Sequence, residues 1–278
     1  MLKRIITAVV CISLFIPVCI FSDTLVFPII FSFLSLVATV EVLRCVGNKN
    51  MFIMILSCIL AVCGPVLSRI VPDSGIFILA FFAVSFVYLL INMTVSVFSH
   101  GKYDVEIAAL SFMTVFYVIS SFTSIVLLRD TQNGQYIYLL AFVGPWVSDT
   151  FAYFTGYFFG KHKLIEDVSP KKTVEGSIGG IVFTGVSFII YALVLIHFVR
   201  ASFDPSYVAL AIVGFIVSII SQIGDLMASL IKRKFGVKDY GKLFPGHGGV
   251  MDRFDSVLPV APLLLIITQL LTHFGFIR

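Results

Sequence analysis

Charge is what this sequence has least of. It carries 19 basic and 15 acidic side chains among 278 residues, 12% of the chain, where an ordinary soluble domain carries roughly a quarter. So few charges cannot coat a water-soluble globule of this size, whereas a bilayer solvates an apolar exterior directly. With 59% hydrophobic residues and a mean hydropathy of +1.07, the chain reads as an all-α polytopic membrane protein forming a single transmembrane domain over residues 1–278. Other absences narrow the chemistry. The five cysteines (Cys11, Cys19, Cys45, Cys58 and Cys63) lie mostly inside apolar runs and form no CxxC pair, so they read as small buried hydrophobes rather than a disulfide or zinc framework. Of the five histidines, four are scattered at loops and helix ends and His247 stands alone in a glycine turn. There is no GxxxxGK[ST] phosphate loop, no GxSxG elbow, no evident repeat and no soluble domain.

What is abundant is apolar sequence in runs long enough to cross a bilayer, which takes about 20 residues. Nine spans are expected: 5–22, 24–42, 51–71, 75–98, 105–128, 135–160, 177–199, 206–233 and 254–276. The first begins with a basic start and an apolar core, but no A-x-A-like cleavage site follows, so it is expected to be retained. The first two are nearly fused at Ser22-Asp23, as a tight hairpin or a partly re-entrant pair. With the N-terminus in the cytoplasm, nine spans leave 15 of the 19 basic residues inside. Only Arg69, Arg129, Arg200 and Arg278 fall outside, the asymmetry of the positive-inside rule. The C-terminus is then outside, and the two longest extramembrane pieces, 161–176 and 234–253, are cytoplasmic.

Residues 1–103 are chemically quiet. Glu41 and Arg44 lie at a helix end, where charge snorkels to the interface. Asn92 reads as an interhelical hydrogen-bonding residue and Glu106 as an interfacial one. The sixth span differs, with Asp149 about halfway along between Ser148 and Thr150. On a helix Asp149, Tyr153, Gly156, Tyr157 and Gly160 share a face. An intramembrane acid is functional by default, the alternative being a structural carboxylate paired to a neighbour. The segment SPKKTVEGSIGG then offers Lys171, Lys172 and Thr173 at a helix N-terminus. These form an anion site, or else a pair that sets topology or meets lipid headgroups. The eighth span holds the clearest stripe, because Ser218, Gln222, Asp225, Ser229 and Lys232 fall on one helical face. It must face a hydrated cavity or a polar partner helix.

The densest polar stretch is 229–255, SLIKRKFGVKDYGKLFPGHGGVMDRFD. Its glycines break continuous structure and let a ligand approach the main chain. Asp252 and Asp255 open the last span, near a helix N-terminus, where capping alone also accounts for them. Taken together, Asp149, Asp225, Asp239, Asp252 and Asp255 with Lys171, Lys172, Lys232, Arg233, Lys238 and Arg253 suit a hard cation such as Mg²⁺ and phosphate oxygens. That describes phosphoryl or nucleotidyl transfer at the membrane surface, where the protein chiefly positions groups and neutralises charge.

The 229–255 stretch resembles the signature of the phosphatidate cytidylyltransferase (CDP-diacylglycerol synthase) family, and SDTFAYFTGYFFGKHK and SPKKTVEG look like its other recurring segments. The detailed similarity covers 148–180 and 225–256. The resemblance implies transfer of CMP from CTP to phosphatidic acid, giving CDP-diacylglycerol and pyrophosphate, with Mg²⁺ and a monovalent cation such as K⁺ beside it. It implies Asp225 and Asp252 as metal ligands, 27 residues apart, with the glycine loop folding one back towards the other. It points to Lys232 and Arg253 beside them. For substrate it implicates Asp149, Lys171, Lys172, Thr173, Ser229, Lys238, Asp239, His247, Gly248, Gly249 and Asp255. The placement of the basic residues puts the site on the cytoplasmic face, and the compact length suits a bacterial cytoplasmic (inner) membrane; a homodimer is compatible and no nucleic-acid partner is expected. Alternatives are a related transferase acting on an ether-lipid phosphate or a polyprenol, and a cation-coupled transporter using Asp149 and Asp225.

Overall fold

The computed structural model describes residues 13–199 and 206–273. It is an integral membrane protein built almost wholly of helices. Among the described residues seven helices are long and apolar enough to cross a membrane. They are α1 (Val26–Cys45), α2 (Met51–Ile70), α3 (Ser74–Phe98), α4 (Val105–Arg129), α5 (Gly134–Phe159), α6 (Val174–Val194, extended by a wider turn over Leu195–Val199) and α7 (Tyr207–Lys234). Their bounds follow the apolar runs to within a few residues. The starts are set by the polar residues between runs. Asn50 accepts the Ile53 N–H, Asp73 those of Gly75 and Ile76, Asp104 that of Glu106 and Thr173 that of Gly176. Each satisfies donors that a helix N-terminus leaves unpaired.

Of the first expected span, 5–22, residues 5–12 lie outside the described residues and 13–20 are helical. Two other expectations meet a different outcome. The segment 161–176 is not a plain loop: β1 (Lys163–Ile165) and β2 (Ser169–Thr173) pair antiparallel, with Lys163 opposite Thr173. The last span is broken. A single turn, α8 (Met251–Phe254), is followed by a non-helical stretch, and α9 (Val260–His273) restarts only after Pro259. Proline lacks the N–H that an interior helical bond needs and disfavours helix at the residue before it. Asp252 therefore belongs to a separate turn and does not open the last long helix.

Two compact units divide the chain. The first comprises residues 1–135 and 231–254, so it holds α1–α4, the last turn of α7 and the loop to α8. Helix α4 is its centre and buries thirteen side chains, whereas α3 buries only Phe77, Tyr88 and Asn92. Much of the remaining apolar surface of α3, Leu79, Phe82, Phe86 and Leu90 among it, is exposed. Leu43, Ala61, Tyr88, Val115 and Ile119 pack as one core cluster. A buried polar network joins the helices beside it. Asn48 donates to Tyr103 Oη at 3.2 Å and Ser111 Oγ at 2.9 Å, and Tyr103 donates to Asn92 Oδ1 at 3.0 Å. The bonding role expected for Asn92 is thus filled by the 99–104 connection. At the opposite ends of these helices Arg69 donates to Asp130 with Nε at 2.8 Å and also with its terminal nitrogen. Its other nitrogen donates to the carbonyls of Ser22 and Thr24 at 2.9 and 2.7 Å.

The second unit comprises residues 136–230 and 255–278. Glycines on α6 let helices approach closely there: a Cβ at Gly176 would lie 2.6 Å from the Ala152 carbonyl of α5, and one at Gly179 2.2 Å from Thr155 Oγ1. Phe142, Phe188 and Val217 fill the core between α5, α6 and α7.

The Arg69 cluster yields a stability prediction. Its guanidinium side chain is 11% exposed and the Asp130 side chain 34%, between the exposed and the fully buried case. Arg69→Met should cost about 2 kcal/mol, read as a lower thermal unfolding midpoint in detergent. Asp130→Asn should cost less, since Arg69 keeps both carbonyl bonds.

Candidate active site

In the first unit the polar loop begins where α7 stops. Gly236 takes φ +65°, its N–H reaches the Arg233 carbonyl at 3.1 Å and the Val237 N–H reaches that of Lys232 at 3.0 Å. This paired closure ends the helix in a left-handed residue that only glycine adopts without strain. The chain then runs to a tight turn at 244–248, in which the Phe244 N–H meets the Gly248 carbonyl at 2.9 Å. No regular ladder runs through this loop, and several of its other amides meet carboxylates. Asp252 Oδ2 accepts the N–H groups of Tyr240 at 2.7 Å, Gly249 at 3.0 Å and Gly241 at 3.4 Å. Its Oδ1 accepts Lys232 Nζ at 3.0 Å, and the same ammonium lies 5.3 Å from the Tyr240 ring centroid. The Asp252 side chain is only 3% exposed.

A second carboxylate enters this loop from α1. Glu41 accepts the Val250 N–H at 3.1 Å and the Met251 N–H at 2.9 Å, and it is buried. The interfacial position expected for it is therefore corrected: two main-chain donors hold the carboxyl group inside. Gly248 and Gly249 are packing requirements here. A Cβ at Gly248 would come 2.8 Å from Asp252 Oδ2, and one at Gly249 2.2 Å from Glu41 Oε1. His247 is half-buried, with Nδ1 enclosed and without a hydrogen-bond partner among the described residues. Lys238 and Asp239 are exposed on the loop, and Arg253 is exposed on α8. Glu106 is exposed and pairs with Lys234.

In the second unit the stripe on α7 meets polar partners one after another. Ser218 Oγ and Ser148 Oγ are 2.7 Å apart, and Ser177 Oγ donates to Gln222 Oε1 at 2.6 Å. Asp225 pairs through Oδ2 with Lys172, both side chains about a quarter exposed, while Asp225 Oδ1 accepts no hydrogen bond from a described residue. Ser229 is half-buried one turn further along. Lys171 points outward from β2, while Thr173 caps α6 and packs against Gly156 and Gly160. The stripe expected on α5 consequently splits, its glycines packed and Tyr153 and Tyr157 exposed beside each other. Asp149 is exposed and accepts Ser256 Oγ at 3.4 Å. Asp255 is buried and caps the Ser256 N–H at 2.9 Å.

Among the described residues no group of three or more His, Cys, Asp or Glu side chains is gathered as a metal cage. The donors nevertheless fit a hard cation of the magnesium kind, which binds through one or two carboxylates and takes its other ligands from phosphates and water. Asp225 presents an open oxygen in the second unit, and Asp252 one with a single lysine partner in the first.

A family model described as the Cytidylyltransferase family matches residues 2–271. The chain belongs to that family. Curated relatives named phosphatidate cytidylyltransferase agree with it along nearly their whole length. Those of Staphylococcus haemolyticus and Staphylococcus aureus are each 36% identical over 271 residues, 95% of this chain and 97% of the relative. That of Staphylococcus epidermidis is 36% identical over 272 residues with the same coverage. Against this cytidylyltransferase background, Tyr240, Ser177 and Ser256 are the site-side residues that the sequence did not single out, and Glu41 is one that it placed at the interface instead.

Close packing beside Asp225 is open to test. A Cβ at Gly224 would lie 2.5 Å from Pro259 Cγ and 2.6 Å from the Asp255 carbonyl. Gly224→Ala is expected to cost about 1–3 kcal/mol of stability in a thermal unfolding scan, as overpacking does, and to lower activity with it.

Proposed function

We propose that this chain is a phosphatidate cytidylyltransferase, transferring CMP from CTP to phosphatidic acid to give CDP-diacylglycerol and pyrophosphate. The observation that carries the reading is the loop of 235–254, in which a lysine-paired aspartate is held by main-chain amides within a chain belonging to the cytidylyltransferase family. A phosphate oxygen of the lipid attacks the α-phosphorus of CTP, the new P–O bond forms there, and the bond to the β-phosphate oxygen breaks as pyrophosphate leaves. No protein nucleophile is needed. Charge must be neutralised on both substrates, and the groups available are lysine and arginine side chains and acids able to hold a cation.

In the first unit Lys232 and Arg253 are assigned to phosphate oxygens and Asp252 to a cation. In the second, Asp225 is assigned to a cation and Lys172, with exposed Lys171, to phosphate. Asp225 and Asp252 are the residues that would hold Mg²⁺, with a monovalent cation such as K⁺ beside it, and the chemistry such a cation would supply is positive charge to offset that building on the leaving pyrophosphate. The expected setting is the inner membrane with these residues on the cytoplasmic side, where CTP is available. The basic residues collect on one side of the expected topology, which supports that orientation.

The assay is direct. Protein purified in detergent, given CTP, Mg²⁺ and phosphatidic acid, should release pyrophosphate and form a CDP-lipid in equal amounts. No CDP-lipid from any phosphatidic acid tested would overturn the reading. Asp225→Asn and Asp252→Asn should each lower kcat by at least about a hundredfold, the scale on which one electrostatic group at a reacting centre acts. A near-normal rate in either removes that residue from the site.

A further inference from the structure

Glu41 lies one turn from the end of α1, in a part of the chain with no other acid near it in sequence. The residue is 7% exposed, and both its carboxyl oxygens are used: Oε1 by the Val250 N–H at 3.1 Å, Oε2 by the Met251 N–H at 2.9 Å. The loop wraps it closely. A Cβ at Gly241 would fall 2.0 Å from Oε1 and one at Gly249 2.2 Å from the same atom. The next residue after Met251 is Asp252, whose Oδ2 collects the amides of Tyr240, Gly241 and Gly249. Five loop amides thus converge on two buried carboxylates, and one of the two, Asp252, also accepts the Lys232 ammonium. A residue kept for packing alone would not be an acid, because burying a carboxylate is costly unless its hydrogen bonds are made.

We infer that Glu41 is a positioning residue for the transfer reaction: it fixes the main chain at 249–251 so that the Asp252 carboxylate and its lysine keep one orientation. The inference rests on the function proposed above. Glu41 itself touches no reacting atom. Its effect runs through the backbone, and removing its negative charge leaves its size nearly unchanged while turning a donor of the side-chain amide against a main-chain donor. Misplacement of a reacting group by about an ångström costs on the order of a hundredfold in rate.

The test compares full-length Glu41→Gln and Glu41→Asp with the unmodified protein in the CTP and phosphatidic acid assay, together with amide hydrogen exchange. In Glu41→Gln, peptides covering 240–252 should exchange about tenfold faster while the peptides of α3 are unchanged. The kcat should fall about ten- to a hundredfold, and the Mg²⁺ concentration giving half-maximal rate should rise at least about threefold. A smaller folded fraction would not move that last value. Glu41→Asp, which keeps the charge but shortens the reach, should fall between the two. Unchanged exchange and unchanged Mg²⁺ demand in Glu41→Gln would overturn the inference. Failure of both variants to fold would also overturn it, by making the residue structural. If the unmodified protein forms no CDP-lipid, the proposed function fails instead, and the exchange pattern still reports whether Glu41 holds the loop.

Discussion

Two buried carboxylates hold the polar loop of this protein together. A loop without a helix or sheet ladder must find acceptors for its own amides, and beside a bilayer there is little water to supply them. Asp252 and Glu41 supply them from opposite directions in sequence, one from within the loop and one from α1. The price is that main chain must come against carboxylate, which leaves no room for a Cβ at Gly241, Gly248 or Gly249. The glycine-rich character of 236–249 follows from that steric demand as much as from turn geometry. Only Gly236, Gly246 and Gly248 among them adopt positive φ.

The second unit solves the same problem with side chains. Hydrocarbon offers no partner to a polar group, so the α7 stripe pairs residue by residue: Ser218 with Ser148, Gln222 with Ser177, Asp225 with Lys172. The α5 and α6 backbones draw near each other because Gly156, Gly176 and Gly179 present no side chain at the crossing. A seam of this kind orients Asp225 without burying it, leaving its side chain about a quarter exposed.

The long helices were legible because apolar length and polar caps are local properties: Asn50, Asp73, Asp104 and Thr173 each start a helix where a run begins. The α7 stripe was legible too, since 3.6-residue periodicity places 218, 222 and 225 on one face whatever they meet. What hydropathy could not register is the break before α9. Val257, Leu258 and Pro259 are as apolar as a helix interior, and only the missing proline N–H separates turn from helix there. The β1–β2 hairpin was hidden for a related reason, since KLI and SPKKT are too short and too charged to alternate visibly. Glu41 was hidden by distance. Its partners lie 209 and 210 residues away, and no local pattern tells a snorkelling acid at a helix end from a buried one that holds a loop.

The counter-ions explain why both proposed cation-holding acids sit beside lysine. Lys172 meets Asp225 and Lys232 meets Asp252, so each carboxylate is neutralised within the protein. A guanidinium would lock such a pair in a planar, bidentate fork, whereas an ammonium is a point charge on a flexible stem that keeps donors to spare. A phosphate arriving beside that lysine meets a cation already in place, and the carboxylate it shares becomes the natural seat for a second positive charge. On the proposed reaction, the acid and lysine of each pair therefore act as one unit. The lysine faces the phosphate, the acid faces the cation, and the amides or helix behind the acid keep the two from drifting apart.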